Sequence, residues 1–145
     1  MQPNTGQPTE TARRLTGGCL CGGFRYVLPA EPTALCDCHC IDCRRSSGAP
    51  FVTWGTVQRD GFKALQGELR RIPYADRIRG FAACCGTHVT FEDAVNAPTV
   101  DVAIATLDKP ERWAPKKAIW VEDKLPWVTL NPDVPAFPQR SGAIG

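Results

Sequence analysis

Four of the eight cysteines in this 145-residue chain fall within one run, Cys36-Asp37-Cys38-His39-Cys40-Ile41-Asp42-Cys43. A second C-x-C, Cys19-Leu20-Cys21, lies upstream, and an adjacent pair, Cys84-Cys85, lies downstream. Thiols this close in sequence pair with their neighbours as disulfides only under strain, because a disulfide wants Cα atoms roughly 4.4–6.8 Å apart and a strict torsion about the S–S bond. Zinc asks for less: sulfurs converging at about 2.3 Å on one ion, supplied by short turns from distant parts of the chain. The sequence reads as that of a zinc protein, and the number of thiolates each zinc receives decides what it can do.

In Cys38-His39-Cys40-Ile41-Asp42-Cys43 a C-x-C runs directly into a C-x-x-C. Residues two apart on an extended segment share a face, with Cα atoms about 6.6 Å apart, so Cys38 and Cys40 can lean onto one ion. The C-x-x-C half can curl so that backbone amides point at the sulfurs. Three thiolates from six consecutive residues predict a tripod whose fourth position is open, which is how catalytic zinc differs from structural zinc. Cys19 and Cys21 offer two ligands, and Cys84-Cys85-Gly86 is the obvious donor of the remainder. Two readings stand there: both Cys84 and Cys85 ligate, or Cys85 ligates beside a spectator Cys84. Cys36 shares a strand face with Cys38 and Cys40, so it either completes one of the sites or is an inert core thiol. His39 is expected to orient its loop or handle protons rather than to ligate, and His88 to be structural.

A composition of 43% hydrophobic and 22% charged residues suits one globular domain. The net charge of +2 is too mild for a nucleic-acid footprint, and the basic pairs Arg13-Arg14, Arg44-Arg45, Arg70-Arg71 and Lys116-Lys117 are dispersed. No stretch approaches the roughly 18 apolar residues of a membrane span, and the polar Met1–Thr16 segment lacks the apolar core of a signal peptide. A cytoplasmic setting follows as the expectation, where clustered cysteines bind metal more often than they cross-link. Short β-like runs alternate with turn residues: 24–28, 33–37, 51–57, 62–65, 69–74, 78–83, 88–91, 99–107 and 118–121. Gln66-Gly67-Glu68 reads as a hairpin turn, and only Cys43–Ser47 and Lys109–Trp113 suggest helical turns. These predict a small antiparallel all-β domain over residues 15–137 with cysteines on its loops, between flexible tails at 1–14 and 138–145. The Pro-rich segment from Leu125, with Trp127 and Phe137, is expected to pack over that domain.

Taken together, Gly17-Gly18-Cys19-Leu20-Cys21-Gly22, Arg25-Tyr26, Cys38-His39-Cys40-Ile41-Asp42-Cys43-Arg44-Arg45, Ser47-Gly48-Ala49-Pro50-Phe51, Cys85-Gly86-Thr87 and Leu125-Pro126-Trp127 resemble the glutathione-dependent formaldehyde-activating enzyme family, whose domain is shared with centromere protein V. The resemblance implies an all-β "β-tent" fold with two zinc sites. It assigns Cys38, Cys40 and Cys43 to a catalytic zinc, and Cys19, Cys21 and Cys85 to a structural one. The family's fourth structural cysteine falls where this chain has Ala82, and Cys84 is the nearest replacement. The implied activity is that of a carbon–sulfur lyase joining the glutathione thiol to formaldehyde or another small aldehyde. Arg44 and Arg45 are candidates to meet a glutathione carboxylate. Trp54 and Trp120 are placed in the core, with a pocket-lining role as the alternative. The rival reading is a non-enzymatic zinc-binding protein-interaction module, which needs both zincs closed by four ligands. A third is a lyase acting on some other small electrophile.

Overall fold

Strand alternation builds two sheets with one shared core. The computed structural model describes residues 15–140, so the expected tail at 1–14 and residues 141–145 lie outside the described residues. The smaller sheet has the order β1-β2-β5, formed by β1 (Thr16–Gly18), β2 (Arg25–Val27) and β5 (Lys63–Gln66). The larger contains β3 (Thr33–Cys38), β4 (Val52–Gln58), β6 (Leu69–Tyr74), β7 (Arg77–Ala82), β8 (His88–Glu92), β9 (Thr99–Ala103) and β10 (Ala118–Ile119), in the order β10-β3-β4-β9-β8-β7-β6. Its pairs are antiparallel except β10 on β3. One short helix, α1 (Ile41–Ser47), follows β3.

Because side chains alternate across a strand, each strand of the large sheet gives one set of residues to the core and the other set to the opposite face. Leu35, Val57, Val89, Val100, Val102 and Ala82 pack with Phe24, Tyr26 and Leu28 of the small-sheet side into the main core. Tyr26, fully buried, stacks on Phe62 at 5.1 Å between ring centroids and shares a 2.7 Å hydrogen bond with the Thr106 hydroxyl. The opposite face carries a second cluster of Cys36, Cys38, Cys43, Trp54 and Ala103. Register fixes this face: Cys36 lies opposite Trp54, which lies opposite Ala103, and Thr56 lies opposite Asp101, then Phe91, then Arg79.

Three features differ from the sequence expectations. Gln66-Gly67-Glu68 does not close a hairpin but carries the chain from the small sheet to the large one, since β5 pairs with β2 and β6 with β7. Gly67 sits at φ +75°, where a Cβ would collide with the Gly23 carbonyl oxygen, so glycine is needed for this crossing. The run 99–107 stays extended only to Ala103, then turns in a single 3-10 turn, Ile104–Thr106, tied by the Thr106 hydroxyl to Ala103 O at 2.7 Å. The C-terminal strap is held through its backbone: Phe137 N donates to Ala118 O at 2.9 Å, and Trp120 N donates to Gln139 O at 3.1 Å. Backbone hydrogen bonds reach as far as Gln139, while Trp127 is 70% exposed rather than packed down.

Candidate metal centre

At the end of β3 the chain turns so that Cys40 becomes the N-cap of α1, its Sγ accepting from Cys43 N at 3.2 Å. Gly48 closes the helix at φ +69°. The turn brings the Cys38, Cys40 and Cys43 sulfurs within 4.8 Å of one another. Cys43, 4% exposed, accepts from the Trp54 indole N–H at 3.4 Å and from the two terminal nitrogens of Arg79 at 3.8 and 3.9 Å. Hydrogen bonds from Cys38 and then Cys40, with smaller help from Trp54 and the Arg79 charge, pull the Cys43 thiol down to about 3. Cys38, sharing those protons, is pushed up. These contacts favour the Cys43 thiolate, the form in which a cysteine binds a metal ion.

The second cluster comes from two loops. Cys19 and Cys21 lie between β1 and β2, and Cys84 and Cys85 between β7 and β8. All four sulfurs lie within 4.8 Å of one another. Cys19 stands 3.8 Å from Cys21 and 3.5 Å from Cys84, and Cys21 stands 3.3 Å from Cys84. Four sulfurs at 2.3 Å from one tetrahedral ion would stand roughly 3.8 Å apart, so the set fits a closed site. Amides of Phe24 and Gly23 donate to Cys19 and Cys21 at 3.2 and 3.4 Å. The Thr87 hydroxyl, ahead of the amides of Cys21 and Thr87, draws Cys85 down to about 5. Of the two readings of Cys84, the structure brings it into the cluster beside Cys85. Ala82 is fully buried in the main core, against which Cys19 of the cluster also packs.

Of the remaining candidates, Cys36 is buried and stands outside both sulfur groups. His39 is also buried, its ring tilted against Phe51 at 4.9 Å between centroids, and joins neither group. His88 stacks on Phe81 at 4.6 Å and lies 3.4 Å from the Ser46 hydroxyl. A cavity of about 630 Å³ opens over the tripod, with Cys38, Cys40, Cys43, Trp54 and Trp120 in its wall. Both tryptophans therefore line a pocket. Arg44 and Arg45 are not among its lining residues; the arginines that are come from β7 (Arg77, Arg79) and the strap (Arg140). Sequence reading missed Arg79, 36 residues from Cys43, although it alternates with Ile78 and Gly80 on a strand whose buried face is plain.

Arg79 lies 4.6 Å over the Phe91 ring and donates to Ser46 Oγ at 3.2 Å as well as to Cys43. Arg79→Met keeps the apolar stem on Phe91 and deletes the donors. We expect the tripod to lose about 10–100-fold in zinc affinity, as changes to a ligand's outer partners typically do. Competition with a chromophoric chelator reads this directly, and Arg79→Lys should restore part of the loss. Equal affinities in all three proteins would refute the role.

The architecture and these donors define a class: small two-sheet β proteins with two cysteine clusters, each able to hold a metal ion. Within that class, the model of the glutathione-dependent formaldehyde-activating enzyme family matches residues 14–123, and the chain belongs to that family. An uncharacterized lyase of Schizosaccharomyces pombe is 30% identical over 77 residues, a match covering 52% of this chain and 55% of that protein. The matched region thus spans about half the length of this relative. A crystal structure of a Rhodobacter sphaeroides protein superposes with a TM-score of 0.52 at 21% identity, covering 83% of this chain and 98% of the other, which bears on the fold alone. Among the described residues, no helix is long and apolar enough to cross a membrane.

Proposed function

We propose that the protein is a zinc-dependent carbon–sulfur lyase of the S-(hydroxymethyl)glutathione synthase type, joining a glutathione thiol to formaldehyde or a similar small electrophile. One observation carries the reading: the Cys38, Cys40 and Cys43 sulfurs form a three-donor group in the wall of a large cavity, with Cys36 and His39 outside the group. Cys19, Cys21, Cys84 and Cys85 are assigned to a structural zinc. A closed, purely structural module would need a fourth protein donor at the tripod, and neither neighbour supplies it. When bound there, zinc supplies a Lewis acid that accepts a fourth sulfur and favours its deprotonation near neutral pH.

The residues do the rest. Cys38, Cys40 and Cys43 fix the geometry. Three thiolates around a divalent ion leave a net charge near −1, and the Arg79 guanidinium beside Cys43 offsets it. Trp54 covers Cys43 and removes water from one side of the sulfur. In the reaction the thiol loses its proton, its sulfur pair forms the C–S bond, and the carbonyl π pair moves to oxygen, which takes up a proton. One thiol and one formaldehyde thus give one S-hydroxymethyl adduct, with no atom lost and no net change of oxidation state. The free cysteines suit a reducing compartment such as the cytosol.

The test is to load the protein with cobalt and titrate glutathione, then add formaldehyde and follow the hydroxymethyl adduct by NMR. A shift in the thiolate-to-cobalt absorption and adduct formation above the uncatalysed rate are expected. A silent spectrum up to millimolar glutathione would remove the reading.

A further inference from the structure

The strand β9 lies fourth of seven in the large sheet, at its centre. Its Val100 and Val102 face the core, while Thr99 and Asp101 line the cavity. An aspartate at mid-strand in mid-sheet runs against strand propensity. The Thr56 hydroxyl, opposite it on β4, donates to Oδ1 at 2.7 Å. Three other acids have arginine partners: Glu92 meets Arg59 and Arg71, Asp93 meets Arg77, and Asp108 meets Arg25. Among the described residues Asp101 joins none of the ion pairs. The charge that bears on it is the like charge of Asp93 on the β8 side. Burial, ahead of that repulsion, pushes its carboxyl up to about 6.

A partly desolvated anion turned to a ligand cavity is best satisfied by a cation that the ligand brings. Register gives the scale. Asp101 is two strands and four residues from Cys38, so their Cα atoms are roughly 16 Å apart on a sheet with about 4.8 Å between strands. That puts the carboxylate beyond hydrogen-bond reach of the tripod, so one ligand meets both only if it is extended along the cavity that they share. Around the same cavity stand Arg77, Arg79, Lys117 and Arg140, of which Arg77 and Arg140 also meet Asp93, so cationic and anionic groups alternate along its wall.

We propose that Asp101 receives the protonated amine of the incoming thiol, so that the cavity selects thiols bearing an ammonium group, γ-glutamyl peptides and aminothiols, over neutral or purely anionic ones. The proposal rests on the tripod's being the thiol site. The experiment is calorimetry on the zinc-loaded full chain near neutral pH, with glutathione and N-acetylglutathione as probes and no aldehyde. Capping the amine should weaken binding to the wild type about 10–100-fold, the worth of a charge-assisted hydrogen bond. Asp101→Asn should bind the two probes nearly alike. Equal binding of both probes by the wild type, or undiminished discrimination by Asp101→Asn, overturns the inference.

Two further outcomes separate the inference from the proposed function. Amine-dependent binding without any aldehyde adduct leaves the inference standing and removes the activity, whereas no binding of either probe removes both. A folding control accompanies the variant. A carboxyl raised in the folded state contributes stability that is full below the ordinary carboxylate range and lost as pH rises through about 6. Near neutral pH its charge therefore opposes folding, so Asp101→Asn should unfold at higher urea than the wild type. Unfolding at lower urea would mark Asp101 as a structural residue and overturn the inference.

Discussion

Replacing Cys43 with serine is expected to leave a folded chain that carries one zinc instead of two and has lost thiol–aldehyde turnover. The thiol is 4% exposed, is drawn toward the thiolate by Cys38 and Cys40, and receives hydrogen bonds from Trp54 and Arg79. A serine hydroxyl is shorter and stays protonated, so those donors lose the anion they face. Two remaining thiolates make a poor site. Even outer-partner changes cost about 10–100-fold in activity or affinity, and loss of a ligand should exceed that range. The core is not involved, because the cysteine cluster lies on the far side of the large sheet from Phe24, Tyr26 and Val102. Elemental analysis gives the metal count and NMR the turnover. Two zincs per chain with unaltered turnover would remove Cys43 from the site.

Cys21→Ser should do the opposite, sparing the tripod's chemistry in whatever folds but lowering the melting temperature sharply. Cys21 and Cys84 are 63 residues apart, on loops of different sheets, and their sulfurs meet at 3.3 Å. An ion there would tie the small sheet to the large one. Closing a loop of that length by a covalent link is worth about 4 kcal/mol in the chain-entropy model, and structural zinc binds with roughly 10–16 kcal/mol. A domain of this size loses about 2–4 °C per kcal/mol, so a fall on the order of 10 °C is expected from a loss of a few kcal/mol. Scanning calorimetry with and without chelator reads it, and chelator should bring the wild type down toward the variant. If Cys21→Ser and Cys43→Ser melt alike, the two clusters do not divide their roles in this way.

Much of this site was legible in the sequence because its donors are local. The tripod needs six consecutive residues and one helical turn, and Cys38-His39-Cys40-Ile41-Asp42-Cys43 contains both. The pairing of Cys19 and Cys21 with Cys84 and Cys85 was legible by donor count. The arginine assignment was not. Consecutive helical residues point about 100° apart, so Cys43 can face the cavity while Arg44 and Arg45 stay out of its wall. The arginine that does touch Cys43 arrives on β7, three strand pairings away from β4, at a register no local pattern reveals. Asp101 left a trace in Thr-Val-Asp-Val-Ala, an acid between two core valines. Its meaning depends on which face of the sheet is roofed, and only the tertiary arrangement supplies that. Gln66-Gly67-Glu68 misled for a related reason: the turn chemistry was right, but its flanking strands join different sheets.

The alternation along β9 also bears on how such a protein can change over generations. Thr99 and Asp101 line the cavity while Val100 and Val102 hold the molecule together, so drift at the first two can reshape the cavity wall without touching the core. Insertion of a single residue in that strand would do the reverse, trading solvent-averse packing for acid and hydroxyl in one stroke. New specificities should therefore arise here by substitution, and length changes should be confined to the connecting loops.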